Sequence, residues 1–466
     1  MTPVAPLSVT PTPIDGLLVV TLDVRADNRG WFKENWQRVK MTELGVPDFS
    51  PVQNNVSFNT AAGATRGIHA EPWDKLVSLA RGRIFGAWVD LRPGPGFGSS
   101  FALEMGPETA VFVPRGVGNA FQTLVDETVY SYLVNDHWSP AAKQSYTFLN
   151  LADETVAIGW PIPLDQAELS DADRAHPRLA DVAPMPPRRA LVVGAGGQLG
   201  RALTRAWPHA TAVARSQLDL SDPASVAAFD FSPYGVVVNA AAHTAVDAAE
   251  TPEGRREAWA VNVTGVAGLV RAARAHRFTL VHVSSDYVFD GTVTEHSEDE
   301  PVSPLGVYGQ SKAAGDALVA TLPSHYLLRT SWVIGEGRNF VATMASLADR
   351  GVRPSVVDDQ FGRLTFTSEI ARAVDHLLAT NAPAGTYNLS NAGEVTSWAD
   401  IARMVFNERG RPGTDVVPVS AAAYGAGRRL APRPQHSTLV LDKIRATGFE
   451  PAPVADQLSA YLRSMV

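Results

Sequence analysis

The chain of 466 residues contains no cysteine. That excludes disulfides, thiolate nucleophiles and Cys-ligated zinc, and a reducing cytoplasm is the expected location. Positive charge is in deficit, with 40 Lys and Arg against 48 Asp and Glu for a net charge of -8. Such a balance argues against a nucleic-acid or anionic-membrane partner, while leaving room for a local basic pocket that grips a phosphate. No run reaches the roughly 18 apolar residues of a membrane span. The N-terminal MTPVAPLSVTPTPID lacks the basic start and apolar block of a secretion signal. No repeat of solenoid period is present. What remains is an ordinary globular composition, 45% hydrophobic and 19% charged. The length suits two to four domains.

Two local patterns divide the chain. Residues 1–177 read as β. The runs LLVVTL (17–22), KLVSLA (75–80), IFGAWVDL (84–91), AVFVP (110–114) and VYSYLV (129–134) are short and β-prone, and turn residues such as RPGPGFG and PRGVGN separate them. A sandwich or barrel is expected, with helical character only in stretches such as VKMTELG. Residues 178–188 are proline-rich and read as a linker. Residues 189–466 alternate apolar strands (ALVV, VVVN, LVHV, YLLR) with longer helical patterns such as LGRALTRAW. That alternation implies a parallel sheet covered on both faces.

The second half opens on VVGAGGQLG, with Gly194, Gly197 and Gly200 between a strand and a helix and Gln198 and Leu199 inside the turn. Glycine is needed where a backbone turns tightly and approaches a pyrophosphate at a helix N-terminus. The same pattern also suits a plain glycine-rich turn. The next strand ends at Arg215 and Ser216, where many NAD sites carry an acid. An arginine there accepts a 2′-phosphate, which favours NADPH with NADH as a possible second donor; a solvated surface arginine is the other reading. HVSSDYVFDG places Ser284 and Ser285 at a strand end, and YGQSK gives Tyr308 and Lys312 on one helix face. A cation beside a phenol lowers its pKa, so Tyr308 is a candidate proton donor, with Lys312 as its activator or as a holder of the nicotinamide ribose and Ser285 as a second hydrogen-bonding group. A Tyr and a Lys four apart also suit an ordinary amphipathic helix, and the glycine turn and strand-end serines favour the site.

These stretches, with NAAAHTAVDAAE, LRTSWV, DDQFGRLT and RPQHS, resemble the extended short-chain dehydrogenase/reductases, and among them the dTDP-4-dehydrorhamnose reductase family. The resemblance runs from about residue 190 to the end. It implies a Rossmann fold with a small substrate-binding subdomain. It also implies catalytic Ser285, Tyr308 and Lys312, a cofactor loop at Asn239, Ala240 and Ala241, and an adenine-side Asp219. Trp332, Asp359, Gln360, Arg363 and Arg433 fall on motifs of the sugar-nucleotide side. Ser285 stands where the family often has threonine, and His436 where it has asparagine.

The densest polar cluster of the first half is QNNVSFNTAAGATRGIHAEPWDKLVSLARG. His69 is a natural base near neutral pH, and Arg66 a natural phosphate clamp. On composition alone His69 equally suits a structural or surface role. No H-x-H pair and no second histidine at strand spacing accompanies it, so a metal is disfavoured. DNRGWFKENW, PVQNNVS, TRGIH, DKLVSLARG, VFVPRGVGNAF, YLVNDHW and ELSDAD resemble the dTDP-4-dehydrorhamnose 3,5-epimerases, cupin jelly rolls that need no cofactor. The resemblance implies His69 as base, Asp173 as its orienting carboxylate, Tyr132 as proton donor and Lys75 as enolate stabiliser. It implies substrate contacts at Arg29, Glu34, Gln53, Asn55, Arg66, Asn119 and Trp138. Two departures stand out: Asn119 replaces a family histidine, and Gly86 a family aspartate. Either loss could weaken the epimerase or restrict it to one carbon.

Together the two resemblances imply a multidomain, bifunctional enzyme acting on a nucleotide sugar, epimerising a 4-ketosugar and then reducing its C4 ketone. A homodimer through the jelly roll is expected by analogy. Two alternatives stay open: an active reductase carrying an inactive sugar-nucleotide-binding or dimerisation jelly roll, and the same chemistry on a UDP-sugar.

Overall fold

The computed structural model describes residues 6–140 and 142–465. The chain forms two compact units, Met1–Pro187 and Arg188–Val466.

The first unit is a sandwich of two antiparallel sheets. One runs, edge to edge, through Ser8–Pro11, Leu18–Thr21, Thr109–Val113, Lys75–Arg81, Thr128–Val134 and Gln53–Asn59. The other runs through Thr147–Phe148, Thr65–Ala70, Val117–Thr123, Ile84–Asp90 and Ser100–Met105. Between them lie Val77, Leu79, Val111, Trp88, Val117 and Phe121. Each sheet is also covered on its outer face. Helix Arg38–Glu43 brings Met41 onto Leu76 and Phe112. Leu149, Leu151, Val182 and Met185 pack on Ile68, Val89 and Ala120. Strands buried on both faces read as unbroken apolar runs, which is why KLVSLA and IFGAWVDL carry no alternation. The edge strand Gln53–Asn59 does alternate, with every second residue exposed from Asn54 to Phe58.

The expected linker at 178–188 is not one. Val182 and Met185 are buried, and the Met185 N–H donates to the Leu91 carbonyl at 2.8 Å. The prolines set an extended path, but two apolar anchors tie that path to the sandwich, so the first unit runs to Pro187.

The second unit holds a six-stranded parallel sheet in the order Thr211–Val213, Arg189–Val193, Tyr234–Asn239, Thr279–Ser285, His325–Thr330, Gly385–Leu389. One face packs on Leu269, Phe278 and Val319, the other on Leu203, Ile370 and Val374. A third core joins helices Phe340–Asp349, Trp398–Glu408 and Val454–Arg463 into a subdomain. The chain reverses direction across the sheet between Arg189–Val193 and Tyr234–Asn239, a switch point whose carboxyl ends form a ligand crevice in doubly wound folds. Among the described residues no helix is long and apolar enough to cross a membrane.

Candidate active sites

In the first unit, strand Thr65–Ala70 carries Arg66 and His69, with His69 opposite Asn119 and Phe148 on its neighbours. Gly67 has φ +128°, and a Cβ there would lie 2.5 Å from the Ala120 side chain. The glycine of TRGIH therefore lets two strands close behind the histidine. The His69 Nε2 sits 2.8 Å from Asp173 Oδ1. Asp173 is buried on the short helix Asp171–Arg174, where the Ser170 hydroxyl accepts its N–H. Burial works to raise the Asp173 pKa, but bonds from His69 and Ser170 overcome it and hold the carboxyl below its ordinary range. An ionised carboxylate only accepts, so Nε2 carries the ring proton and Nδ1 keeps its lone pair.

Arg66, His69, Lys75, Asn119 and Tyr132 line one cavity of about 220 Å³, together with Glu71, which sequence reasoning passed over. The Lys75 ammonium is buried and lies 3.0 Å from Glu71 Oε1. Burial pushes the Tyr132 phenol up to about 12, with the Glu71 charge adding to it and Arg66 opposing. The phenol is a proton donor across the neutral range. The Asn119 amide donates to the Tyr130 hydroxyl at 3.2 Å. Trp138 lies with His69, Tyr132 and Asp173 along a wider adjoining cleft of about 670 Å³. Gln53 and Asn55 bond each other on the edge strand, and the Trp138 N–H donates to Gln53 Oε1 at 3.2 Å. Arg29 and Glu34 line neither cavity. They are exposed, paired with Asp27 and Lys40 respectively.

Gly86 has a packing cause. A Cβ there would meet the Trp88 ring at 2.5 Å, and Trp88 is fully buried, stacked on Phe101.

In the second unit the glycine turn opens helix Gln198–Ala206 directly after strand Arg189–Val193. Gly194 has φ +85°, and a Cβ on it would come within 2.7 Å of the Ala241 backbone. A Cβ on Gly200 would lie 2.1 Å from the Gly194 carbonyl. Gly197 is the helix N-cap without a side-chain partner, and a Cβ on Gly196 meets nothing within 4 Å. The turn is thus tight behind and open in front, with free N–H groups at a helix N-terminus, as a pyrophosphate requires. Asn239 is buried; its amide bonds His282 Nδ1 and its Oδ1 accepts the Ala241 N–H, which fixes the loop through Ala240 and Ala241. Arg215 is exposed at the end of the second strand and pairs with Asp219 and Ser221.

Helix Val307–Val319 carries Tyr308 and Lys312, and Glu250 Oε1 accepts the Val307 N–H at its start. The Tyr308 phenol is pushed up to about 12 by burial, while a hydrogen bond with Ser285 opposes the rise. The hydrogen bonds of Lys312 go elsewhere. The ammonium donates to the Val283 carbonyl at 2.7 Å and lies 3.3 Å from His282 Nε2. Burial pulls Lys312 down to about 8, with Asp316 opposing. Ser285, Tyr308 and Lys312 therefore meet at the carboxyl end of strand Thr279–Ser285, but the lysine is held by the strand and not by the phenol. The Ser285 hydroxyl donates to buried Asp286, and the Tyr287 ring stands edge-on to Tyr308.

A cavity of about 550 Å³ includes Gln360, Trp398, Tyr424 and Arg433. Arg433 also pairs with Asp247 and bonds Tyr287, which joins this cavity to Tyr308. Trp332 stacks on Trp398 at 3.8 Å. Asp359 accepts the Ala421 N–H, and His436 stacks on Phe361. The Arg363 guanidinium donates to the Gly393 and Leu439 carbonyls, a main-chain clamp. His176, His282 and Asp286 escaped the sequence reading, although SSDY placed Asp286 beside a serine already singled out.

A histidine–carboxylate pair beside a phenol in a β-sandwich cavity equips the first unit for acid–base chemistry. A glycine turn followed by a Ser-Tyr-Lys cluster defines a short-chain oxidoreductase. Residues 11–181 match the family described as dTDP-4-dehydrorhamnose 3,5-epimerase, and residues 188–466 match the RmlD substrate binding domain. The chain belongs to both families and carries both enzyme types. It is 48% identical over 180 residues to the protein RmlC homolog of Streptococcus pyogenes, covering 38% of this chain and 90% of that one. It is 40% identical over 284 residues to the dTDP-4-dehydrorhamnose reductase of Streptomyces griseus, covering 58% of this chain and 91% of that one. The crystal structure of the Bacillus anthracis dTDP-4-dehydrorhamnose reductase in complex with NADP superposes with a TM-score of 0.55 at 30% identity, covering 60% of this chain and 99% of that one.

Proposed function

We propose that this chain converts dTDP-4-dehydro-6-deoxyglucose to dTDP-L-rhamnose in two steps, epimerising C3 and C5 in the first unit and reducing C4 in the second. The observation that carries the reading is the pairing, in one chain, of a fixed-tautomer base facing a phenol with a second phenol at a dinucleotide turn. Those are the groups for two consecutive steps on one ketosugar.

In the first step the C4 ketone acidifies the protons on C3 and C5. His69 Nδ1 takes a proton, and Nε2–H stays on Asp173, which stabilises the imidazolium. The enolate oxygen is met by the Lys75 ammonium. Tyr132 returns a proton to the other face, inverting the carbon. Arg66 and Trp138 in the cleft, with Gln53 and Asn55 on the edge strand beside Trp138, hold the nucleotide end.

In the second unit Gly194, Gly197 and Gly200 seat the pyrophosphate of a dinucleotide, and Asn239–Ala241 flank it. Arg215 takes a 2′-phosphate, which selects NADPH. Bound there, the reduced nicotinamide supplies hydride to C4. Tyr308 gives its proton to the C4 oxygen, Ser285 hydrogen-bonds the same oxygen, and Lys312 holds the ribose. Arg433 faces the diphosphate of the sugar nucleotide.

A homodimer through the sandwich suits the edge strand Gln53–Asn59, where Val56 and Phe58 are exposed. The test of function is incubation with the ketosugar and NADPH, with NMR identification of the product. NADPH oxidation no greater than that of Tyr308→Phe would defeat the proposal. Without NADPH, deuterium from solvent appears at C3 and C5 of an epimerase substrate and not with an inactive jelly roll.

A further inference from the structure

Behind the base of the first unit stands a histidine that the proposed chemistry does not use. His176 comes from the chain just after helix Asp171–Arg174, and folding lays it beside strand Thr65–Ala70. Its ring stacks on Phe148 at 4.6 Å and meets the His69 ring edge-on at 5.3 Å. Its Nδ1 lies 3.9 Å from Asp173 Oδ1 and is buried without a hydrogen-bond partner. The Gly67 carbonyl also acts on the ring, opposing the fall in its pKa that burial causes. The unpartnered Nδ1 is thus directed at the same carboxylate oxygen that receives His69.

His69, Asp173 and His176 each offer one ligand atom, all within 4.8 Å of one another. Four-coordinate zinc with bonds of about 2.0–2.2 Å separates its ligand atoms by about 3.3 Å. The two measured separations, 2.8 and 3.9 Å, bracket that spacing. Two imidazoles and a carboxylate are a borderline donor set, suited to zinc or cobalt(II). The stack on Phe148 holds the His176 ring in its orientation. All three residues line the cleft shared with Tyr146 and Tyr132.

We infer that His69, Asp173 and His176 form an inhibitory site for a divalent transition metal, which shuts the epimerase by capturing its base. The inference rests on the epimerase reading for its consequence, and on geometry alone for the site. A metal on Nε2 moves the ring proton of neutral His69 to Nδ1. Nδ1 then has no lone pair for the substrate proton. The metal thus competes with catalysis through the tautomer, without having to block substrate entry.

The test uses the full chain freed of metal by chelation. Cobalt(II) titration is expected to give the visible bands of a low-coordinate cobalt site, with one equivalent removed by His176→Asn. Micromolar zinc is expected to cut deuterium exchange by more than about tenfold, and His176→Asn to raise the half-inhibiting zinc concentration by about 10- to 100-fold. Reduction of the epimerised ketosugar by the second unit serves as the internal control and stays unchanged by the same zinc. Wild-type protein without cobalt bands and without zinc sensitivity overturns the site, whatever any variant does. Bands that persist undiminished in His176→Asn overturn it too. A chain without exchange in the absence of metal refutes the epimerase reading, and the cobalt titration then still decides the site.

Discussion

Replacing Asp173 by asparagine changes one atom and removes one charge. The carboxylate lies 2.8 Å from His69 Nε2 and is buried. It does two things there: it fixes the proton on Nε2, and it stabilises the imidazolium that forms when Nδ1 takes a proton. A hydrogen bond to a charged group contributes about 1.5–3 kcal/mol. At about 1.36 kcal/mol per factor of ten, its loss from the transition state slows exchange by about 10- to 150-fold. If the amide turns its NH₂ toward Nε2, the ring holds its proton on Nδ1 and the base is lost; the equivalent swap in a serine protease costs about 10⁴. The assay is deuterium incorporation at C3 and C5 of the ketosugar, followed by NMR without NADPH. Reduction of pre-epimerised ketosugar, measured on the same sample, reports the second unit and stays at the parent rate. A loss of less than about threefold in exchange would refute the reasoning, and so would an equal loss in both assays. Acid approaches the same pair from the other side. The folded carboxyl titrates below its ordinary value, so its contribution to stability is complete above the unfolded pKa and disappears as pH falls through the lower, folded one.

Tyr308→Phe removes the proton donor of the reductase and is expected to lower ketosugar reduction by about 10²- to 10⁴-fold, the usual range for a positioned acid; fluorescence titration with NADPH should show that cofactor binding survives. The phenol sits near 12 and Lys312 near 8, so kcat/KM for NADPH, which reports the free enzyme, should fall as pH rises through about 8, when the ammonium loses its proton. An alkaline limb that begins only above pH 10 would show that Lys312 does not govern cofactor capture. Arg215→Ala should raise KM for NADPH by about tenfold and leave NADH nearly untouched, since an exposed cation on a phosphate contributes on the order of 1–2 kcal/mol; steady-state kinetics with both dinucleotides decide it.

What was legible in the sequence was local. Gly194, Gly197 and Gly200 sit within seven residues, and Tyr308 and Lys312 four apart on one helix, so each set was visible locally, and their joint presence, not either spacing alone, marked them as candidates. The inner strands of both units announced themselves as apolar runs because they are covered on two faces. Partnerships that span the chain left no such mark. Lys312 bonds a strand about thirty residues upstream, and nothing in YGQSK says that the ammonium turns to Val283 and away from the phenol. His176 lies more than a hundred residues from His69 in sequence, so a search for paired histidines along one strand passed over it. The proline-rich stretch before Arg188 read as a linker because proline marks extended backbone, while the burial of Val182 and Met185 depends on an outer sheet face that only the fold supplies. The edge strand Gln53–Asn59 was masked by its polar residues.

The two departures at 86 and 119 illustrate the same limit and lead to a sharp expectation. Read as missing polar groups, they suggest a weakened base. In the folded unit the place of the Gly86 side chain is taken by the Trp88 ring, which a Cβ would approach to 2.5 Å. Restoring the family aspartate therefore adds no polar partner to the site. It forces a carboxylate into the stack of fully buried Trp88 on partly buried Phe101. Overpacking a core costs about 1–3 kcal/mol, and a buried carboxylate without a partner adds to that. Gly86→Asp should lower the urea midpoint of the first unit by the equivalent of about 3 kcal/mol and leave exchange no faster than in the parent. Faster exchange at unchanged stability would mean that the tryptophan yields, and that glycine at 86 is a functional loss and not a packing solution.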